Sequence, residues 1–370
     1  MTWSILGERF VLTVFGESHG PSIGSVINGC PSGLPITANE IQKELDLRKP
    51  GISKVTTQRK EQDRVEILSG IHNDFTTGAP ICMVIHNKDT RPKDYTNISK
   101  TPRPGHSDFT AWKKYGSYND PRGGGHFSAR LTACFVMGGV IAKKLLKQNF
   151  KTDIIAYVKE IGKIKLPDDR SYNNFKNAKK YRYSNDVRCP DTKIAKKMSN
   201  AIIQARKKGD SLGGIIECQI INIPVGFGEP IFSALDSELS RAMFSIPAVK
   251  GVEFGAGFQA AKLSGSENND QFIIRKNQIK TKTNNSGGIL GGISNGMPIE
   301  FRLAFKPPSS ISKPQSSFNF RTQKSTKLVV QGRHDPCVLP RAVPIVENVA
   351  ALVLADHGIR AGLIPTVLKS

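Results

Sequence analysis

Short apolar runs in the first ninety residues predict β-strands. Four runs have the length and β-branched content of strands, at residues 8–15, 24–28, 65–71 and 79–86. The last two flank Asn73-Asp74, and we expect them to pair across that turn. Residues 215–225 and 297–305 predict two further strands.

Apolar positions at helical spacing predict the helices, of which residues 37–48 give the clearest start. Thr37 and Glu40 form a capping box, and Ile36 with Ile41 forms a hydrophobic staple. Glu44 stands four residues before Arg48, so an ion pair within the helix is the alternative to a binding role for that arginine.

The other predicted helices follow the same spacing. Residues 128–147 predict a core helix, in which Gly138 and Gly139 indicate close contact with another element. Three more helices are predicted at residues 193–208, 233–245 and 338–354. Residues 162–186 are polar and charged, which predicts a surface excursion within one domain.

Composition predicts a globular protein without a membrane anchor. The 370 residues are 38% hydrophobic, enough for one large core or two smaller ones. The apolar run at residues 133–142 is about half of what a bilayer-spanning helix needs, and the N-terminus lacks a cationic-then-apolar signal. We therefore expect a soluble, cytoplasmic protein with no membrane partner.

The six cysteines are scattered, with no Cys-x-x-Cys pair and no histidine at zinc-ligand spacing. This pattern predicts reduced thiols and no metal site. Cys337 lies beside a cluster of polar residues, but no base partner is evident from the spacing, so we expect a packed thiol.

A formal net charge of +22 raises nucleic acid as a rival class of partner. Much of the excess lies in the basic runs at residues 176–182, 193–197 and 206–208, which are typical of solvated faces. No zinc finger or aromatic RNP-type strand accompanies them. A positive field also concentrates a polyanionic substrate, so basicity alone does not separate the two classes.

Candidate chemistry lies in three polar islands, at residues 16–20, 103–106 and 332–337, each with a histidine among glycines. A single histidine in such a turn is more often a turn residue, whereas three islands together predict one composite acid–base site. Clustered histidines also argue for an enzyme, because phosphate binding alone needs no general acid.

Glycines before the predicted core helix admit two interpretations. Arg122-Gly123-Gly124-Gly125 leads into the start of that helix, where free backbone N–H groups favour an anion. The glycines could equally serve close packing. Cationic residues in other loops, including Arg59 and Lys306, suit recognition of carboxylate or phosphate.

A set of motifs in fixed order resembles the chorismate synthase family over nearly the whole chain. The segments that carry the resemblance are Phe15-Gly16-Glu17-Ser18-His19-Gly20, Thr57-Gln58-Arg59, Arg103-Pro104-Gly105-His106, Arg122-Gly123-Gly124-Gly125, Ser128-Ala129-Arg130, Gly209-Asp210-Ser211, Ala248-Val249-Lys250-Gly251-Val252-Glu253, Gly287-Gly288-Ile289-Leu290-Gly291-Gly292-Ile293-Ser294 and Gly332-Arg333-His334-Asp335-Pro336-Cys337.

The resemblance implies an α+β fold with a helical core sandwiched between antiparallel β-sheets, a single domain over residues 1–370, and a homotetramer. It implies a lyase that eliminates phosphate from 5-enolpyruvylshikimate 3-phosphate to give chorismate. Reduced FMN would be required without net redox change. NADPH is a conceivable source of the electrons, but no Gly-x-Gly-x-x-Gly follows a strand, so we expect flavin reduced elsewhere.

Catalytic roles are implied residue by residue. His106 would be the general acid for the departing phosphate, and His19 would control flavin protonation. Asp335 would assist proton removal through the flavin, with Ser18 and Ser128 orienting the reacting groups.

The resemblance also implies binding residues. Substrate would be bound by Arg48, Ala129, Arg130 and Arg333. The flavin would be bound by Arg48, Lys54, His126, Phe127, Ser128, Pro247, Ala248, Gly291, Lys306, Pro307, Pro308, Ser309, Ser310 and Arg333. His126-Phe127 stands where the family often has Arg-Ser, Pro247 where it has Asn, and Lys54 where it has Arg. Because proline has no N–H, contact at Pro247 must use its carbonyl or ring.

Overall fold

Two five-stranded antiparallel sheets enclose a layer of helices in the computed structural model. The structure describes residues 4–49, 51, 55, 62–88, 98, 100–167, 172–330, 332 and 334–369, with only the backbone of residues 172–174. Lys54, Arg333 and the Thr57-Gln58-Arg59 motif lie outside these ranges.

The first sheet is built from the N-terminal quarter of the chain. Its strands, in spatial order, are β1 (Ile5–Leu6), β2 (Val11–Gly16), β3 (Ser22–Asn28), β7 (Ile81–His86) and β4 (Val65–Ile67). Residues 65–67 pair with β7, as predicted. Asn73-Asp74 instead closes a separate small hairpin of β5 (Ile71–His72) and β6 (Phe75–Thr76).

The second sheet joins four parts of the chain that are distant in sequence. In spatial order it contains β11 (Val249–Phe254), β16 (Ile299–Phe305), β10 (Gly214–Ile221), β8 (Asp153–Ile161) and β9 (Ile164–Lys165). Three two-stranded hairpins complete the β-structure: β12 (Phe272–Arg275) with β13 (Gln278–Thr281), β14 (Ile289–Leu290) with β15 (Ile293–Ser294), and β17 (Gln315–Phe318) with β18 (Ser325–Leu328).

Two long helices form the middle layer. The helices are α1 (Ala38–Arg48), α2 (Asp108–Lys114), α3 (Thr132–Phe150), α4 (Tyr172–Tyr181), α5 (Thr192–Lys207), α6 (Leu235–Phe244), α7 (Gly265–Asn268) and α8 (Leu339–Arg360). α3 packs against α8 and the first sheet, and α8 against the second sheet. Gly139 permits the approach, since a Cβ there would lie 2.3 Å from the Asn348 Cβ. This layering confirms the predicted α+β sandwich.

Local signals at α1 are confirmed except for one ion pair. Thr37 and Glu40 make the capping box, and Ile36 and Ile41 are fully buried. The Glu44–Arg48 pair is wrong. Glu44 accepts from Lys143 Nζ at 3.0 Å, because α3 places that lysine beside it, and Arg48 turns inward.

Residues 162–186 are not solely a surface excursion. They contain α4, whose Phe175 and Ala178 are buried in the main core. Arg182 reaches the buried Glu347 at 3.1 Å. These contacts fasten the polar stretch to α8.

Among the described residues one helix, α8, is long and apolar enough to cross a membrane, and 94% of its apolar window is buried. It is the central helix of the core, which explains its composition. Its apolar stretch is also longer than the run at residues 133–142.

Candidate active site

A cavity of about 1030 Å³ lies where two of the polar islands, at residues 103–106 and 332–337, meet. Its wall comes from the 103–107 turn, the stretch 123–135, the end of α6 with the following loop, the loop after β16, and the start of α8. The predicted site residues on this wall are Arg48, His106, His126, Phe127, Ser128, Ala129, Arg130, Pro247, Ala248, Lys306, Pro307, Pro308, Ser309, Ser310 and Asp335. Folding thus brings together residues nearly 290 positions apart.

His106 is held beside a carboxylate that is itself held by an arginine. The His106 Nδ1 lies 2.6 Å from Asp108 Oδ1. Arg103 donates to both oxygens of Asp108, from Nε at 2.8 Å and from Nη2 at 2.8 Å. Burial raises the pKa of Asp108, but hydrogen bonds from Arg103 and His106 outweigh it and hold that pKa well below its usual range.

His19 is not among the residues that line the cavity. It lies behind the glycine loop at residues 123–125. Its Nδ1 is 3.3 Å from Ser18 Oγ, and both residues are buried. Gly123, which does line the cavity, has φ +61°, and a Cβ there would lie 2.3 Å from the His19 Nδ1. Gly123 therefore separates the His19–Ser18 pair from the cavity by a backbone without a side chain.

Two arginines share one buried aspartate beneath the cavity. Asp63 Oδ2 accepts from Arg48 Nη1 at 3.0 Å, and Asp63 Oδ1 accepts from Arg130 Nη1 at 2.5 Å. Burial opposes ionisation of Asp63, but the charges of Arg48 and Arg130 outweigh it and lower its pKa. Arg48 Nη2 also donates to the Ala129 carbonyl at 2.7 Å. The cluster carries a net positive charge, because two cations face one carboxylate.

Asp335 lies on the cavity wall and is linked through Arg341 to the backbone of Arg48. Arg341, on the first turn of α8, forms an ion pair with Asp335 through Nη1. The Arg341 Nε donates to the Arg48 carbonyl at 3.2 Å. The carboxylate is thus tied through one side chain to the end of α1.

The loop after β16 is fastened to the His106 turn. Lys306 Nζ and Ser309 Oγ both donate to the Gly105 carbonyl, the serine at 2.7 Å. Ser211 Oγ donates to the Pro308 carbonyl at 2.7 Å, which gives the Gly209-Asp210-Ser211 motif a positioning role. Burial, with the charge of Lys250, lowers the pKa of Lys306.

The glycine loop serves close packing. Gly123, Gly124 and Gly125 all have positive φ, and a Cβ at Gly124 would lie 3.3 Å from His106 Cε1. The loop does not enter α3 directly, since a turn of 3₁₀-helix at Ala129–Leu131 intervenes. Its capacity to bind an anion stays a prediction.

Cys337 is the packed thiol that the sequence predicted. All six cysteines are free, and Cys337 is fully buried. Burial raises the pKa of the Cys337 thiol to about 12, so it stays protonated near neutral pH. Within the described ranges, no group of three or more potential ligands could hold a metal ion.

Of the predicted binding residues that the structure describes, Gly291 is not on the cavity wall. Gly291 lies in the turn between β14 and β15, where a Cβ would meet nothing within 4 Å. Lys54 and Arg333 lie outside the described residues. Their proposed contacts with flavin or substrate stay predictions.

The sequence assigned no role to several residues of the site, of which Arg103 lies within the 103–106 island. Arg103, Asp108, Asp63 and Arg341 position the predicted residues, and Arg241 also lines the cavity. Arg103, Asp108 and Arg341 each stand within or close in sequence to an island, so the signal was proximity to His106 or Asp335. For Asp63 no signal pointed to a pair with Arg130, 67 positions away.

Comparison with known proteins agrees with the geometry. The chorismate synthase family model matches residues 10–359. The chorismate synthase of Dehalococcoides mccartyi is 52% identical over 366 residues, covering 98% of this chain and 99% of that protein. That of Methanocaldococcus jannaschii is 50% identical over 368 residues, covering 97% of each.

A solved structure gives the same result for the fold. A crystal structure of chorismate synthase superposes with a TM-score of 0.75 at 30% sequence identity, covering 95% of this chain and 92% of that one. Sequence and structure therefore agree from the first sheet to the end of α8, and the chain belongs to the chorismate synthase family of lyases.

Proposed function

We propose that this family member converts 5-enolpyruvylshikimate 3-phosphate to chorismate by 1,4-anti-elimination of phosphate, with reduced FMN beside the substrate and no net redox change. The observation that carries the proposal is the cavity wall. It combines a histidine that an aspartate holds from behind the wall, the carboxylate of Asp335 and several cations, in a chain that matches the family over most of its length.

Charge on the wall supports the polyanionic substrate. The substrate carries a phosphate and two carboxylates. The cations that line the cavity are Arg48, Arg103, Arg130, Arg241, Lys306 and Arg341, against Asp335 as the carboxylate on the described wall. Arg103 and Arg130 are nearly buried, where a positive charge is screened less than in water. An anion in the cavity would balance the excess.

Size and lining fit a flavin beside that substrate. Small-molecule sites span roughly 300–1000 Å³, so a cavity of about 1030 Å³ has room for two ligands. Apolar wall residues, including Val14, Phe135 and Val338, suit a planar ring, and the cations suit the FMN phosphate. Reduced FMN would lend electron density to the reacting carbons as phosphate departs and recover it afterwards.

The residues that would hold the flavin are those of the wall at 126–128, 247–248 and 306–310. Ala248 has φ +75°, and its carbonyl accepts from Lys306 N at 2.9 Å, so the two segments are joined. Pro247 lines the cavity, and there its ring or carbonyl would contact the flavin.

Proton transfer would take place at three points of the site. His106 would protonate the departing phosphate, and Asp335, held by Arg341, would accept a proton in the second half of the elimination. His19 and Ser18, behind Gly123, would donate or accept at the flavin edge. The 306–310 loop, fastened to the Gly105 carbonyl by Ser309, would limit the access of water to these transfers.

The direct test is anaerobic incubation with reduced FMN and 5-enolpyruvylshikimate 3-phosphate. We expect one phosphate per chorismate and unchanged flavin reduction at the end. Full-rate turnover with oxidised flavin, or one flavin oxidised per product, would contradict the proposal; the latter result would indicate a flavin-dependent oxidoreductase.

His106→Ala tests the general acid. The chemical step should slow by about 10² to 10⁴, with modest change in flavin affinity. Single-turnover chorismate formation and flavin titration measure the two quantities. If the variant lost only thermal stability, the histidine would be structural.

We further propose that the flavin arrives already reduced. The support is sequence-based, since no dinucleotide-binding fingerprint follows a strand. Turnover should proceed with dithionite-reduced FMN and fail with oxidised FMN plus NADPH. Turnover with NADPH under anaerobic conditions would show that the chain reduces its own flavin. The two proposed ligands, reduced FMN and 5-enolpyruvylshikimate 3-phosphate, fit a cytoplasmic location for the protein.

Assembly into a homotetramer is proposed on exposed apolar surface. The β12–β13 hairpin exposes Phe272, Ile274 and Ile279 by 71%, 81% and 74%. Its strands pair with each other alone, and an isolated hairpin is marginal in water, so a second copy of this chain is the occupant that would cover it. Light scattering should give a tetramer, and Ile274→Lys with Ile279→Lys should reduce its size. Val367→Lys, at an exposed position outside the hairpin, is the control.

A further inference from the structure

The His106 ring has three polar neighbours at Nδ1, of which Ser107 Oγ at 3.4 Å is the most distant. Its Nδ1 lies 2.6 Å from Asp108 Oδ1 and 3.0 Å from Arg103 Nη2. The opposite edge, Cε1 and Nε2, faces the position that a Cβ on Gly124 would occupy. The side chain is partly exposed and lines the cavity.

The shortest contact decides which atom carries the proton. Arg103 Nη2 gives one of its two hydrogens to Asp108 Oδ1 at 2.8 Å, and an unprotonated Nδ1 could accept the other, but Nδ1 and a carboxylate oxygen 2.6 Å apart would then be two acceptors that repel each other. A carboxylate at 2.6 Å accepts a strong, charge-assisted hydrogen bond. His106 therefore donates from Nδ1–H to Asp108, which leaves Nε2 on the Gly124 side of the ring.

Asp108 is fixed before the histidine binds it. Arg103 contacts it with its backbone N at 2.9 Å, its Nε at 2.8 Å and its Nη2 at 2.8 Å. Arg103 is itself 6% exposed and donates from Nη1 to Ser310 Oγ at 3.1 Å. The carboxylate is thus clamped in one orientation and tied to the loop after β16.

We propose that Asp108, clamped by Arg103, is a positioning residue for His106: it fixes the Nδ1–H tautomer and supports the charged ring that delivers a proton from Nε2. This inference rests on the proposed function. In the step, the Nε2–H bond breaks, a phosphate oxygen gains the proton, and the C–O bond to the leaving phosphate gives its electron pair to that oxygen. The neutral ring keeps the proton on Nδ1.

The charges around His106 make Asp108 necessary. Arg103 touches the ring, and Lys306 reaches the Gly105 carbonyl next to it. Arg130, His126 and Asp335 share the cavity wall. Because cations predominate, removal of the Asp108 charge would leave a protonated imidazole beside uncompensated positive charge.

The test compares Asp108→Asn with Asp153→Asn in the full-length protein. Asp153 also pairs with two cations, Lys147 and Lys179, but is not on the cavity wall. Histidine-labelled ¹⁵N spectra report tautomer and protonation directly, and His106→Gln identifies the His106 signals among the seven histidines. Single-turnover rates measured from pH 5 to 9 report the protonation of the general acid.

We expect an Nδ1–H tautomer in the unsubstituted protein. In Asp108→Asn, the midpoint of His106 protonation and the high-pH limb of the rate should both move to lower pH by about one to three units. Substrate affinity at pH 6 should change little. Asp108→Glu, which restores the charge, should recover part of the shift, and Asp153→Asn should show none.

An Nε2–H tautomer in the unsubstituted protein would overturn the proposal even if Asp108→Asn failed to fold. An unchanged midpoint and rate profile in a folded Asp108→Asn would overturn it as well. The spectra need no substrate. If they behaved as expected but no chorismate formed, the proposed function would fail while the positioning of His106 by Asp108 would stand.

Discussion

At the scale of single residues, the site depends on carboxylates held by arginines. Asp335 is paired with Arg341, Asp108 with Arg103, and Asp63 with Arg48 and Arg130. In each case, removal of the negative charge leaves a cation without its partner. The consequence differs with burial and with distance from the cavity.

Asp335→Asn should abolish most catalysis and keep binding. Asparagine retains one acceptor oxygen for Arg341 but takes no proton near neutral pH, so single-turnover chorismate formation should fall at least about a hundredfold. Flavin and substrate would be titrated onto the variant anaerobically, with Asp153→Asn as control. Normal turnover would remove Asp335 from the mechanism, whereas lost ligand binding would assign it to holding Arg341.

Asp63→Asn should act on stability. It removes the carboxylate charge that Arg48 and Arg130 share in the buried cluster, and loss of one partner of a buried pair costs about 3–5 kcal/mol. Urea denaturation measures the loss. The surface pair of Asp46 with Lys49 is the control, and Asp46→Asn should cost less than about 1 kcal/mol.

The difference in the free energy of unfolding between the natural protein and Asp63→Asn should depend on pH, and the direction in which folding shifts the Asp63 pKa decides how. The pKa of Asp63 is lowered on folding, so its contribution is complete above the unfolded value of about 3.9 and is lost as pH falls through the folded value. The gap between the natural protein and Asp63→Asn should persist from pH 5 to 8 and narrow below about pH 4. A gap independent of pH would contradict this account.

At the scale of elements, loops position the chemistry and the sheets and helices hold the loops. The His19 loop follows β2, the His106 turn precedes α2, and the Asp335 segment leads into α8. The glycine loop packs against the first two, at Gly123 on His19 and at Gly124 on His106. Contact between loops therefore sets the geometry of the site.

Gly123→Ala tests that contact. The glycine has φ +61°, and a Cβ would meet His19 Nδ1 at 2.3 Å and Ser18 Oγ at 2.6 Å. We expect at least a tenfold loss of single-turnover rate and a lower melting temperature. Gly362→Ala is the matched control, because Gly362 has φ +69° with nothing within 4 Å and incurs the backbone strain alone. Equal effects of the two would show that the loop contact is unimportant.

At the scale of the whole molecule, charge is the dominant property. The net charge of +22 attracts polyanions in general, whereas the cavity collects cations at one place. Surface lysines such as Lys147 and Lys179 are paired with Asp153 and about half exposed. The surface field and the site are therefore separate features with different salt dependence.

Non-specific binding to nucleic acid should appear at low salt and collapse by physiological ionic strength. Accidental phosphate contacts contribute only counterion release, which weakens steeply with salt. Binding of a labelled DNA duplex between 20 and 200 mM salt measures this. Sequence-selective binding that resists salt would support the rival class of nucleic-acid-binding proteins.

The sequence alone predicted the elements whose signals are local. The capping box at Thr37 and Glu40, the apolar spacing of α3 and the strands of the first sheet depend on neighbours within a few positions, and the structure confirms them. The ordered motifs run over nearly the whole chain, so the resemblance also predicted the sandwich of sheets and helices. It predicted many of the residues that line the cavity, because it assigns the family's site residues to numbered positions of this chain.

Tertiary structure decided the partners. Glu44 stands at the right spacing for Arg48, yet α3 brings Lys143 to it, and Arg48 finds Asp63 inside the protein. Asp108 lies two positions after His106, but only the folded turn shows that Arg103 clamps it against the ring. Ion pairs depend on distance and burial in space, which sequence spacing fixes within one helix and leaves open between elements.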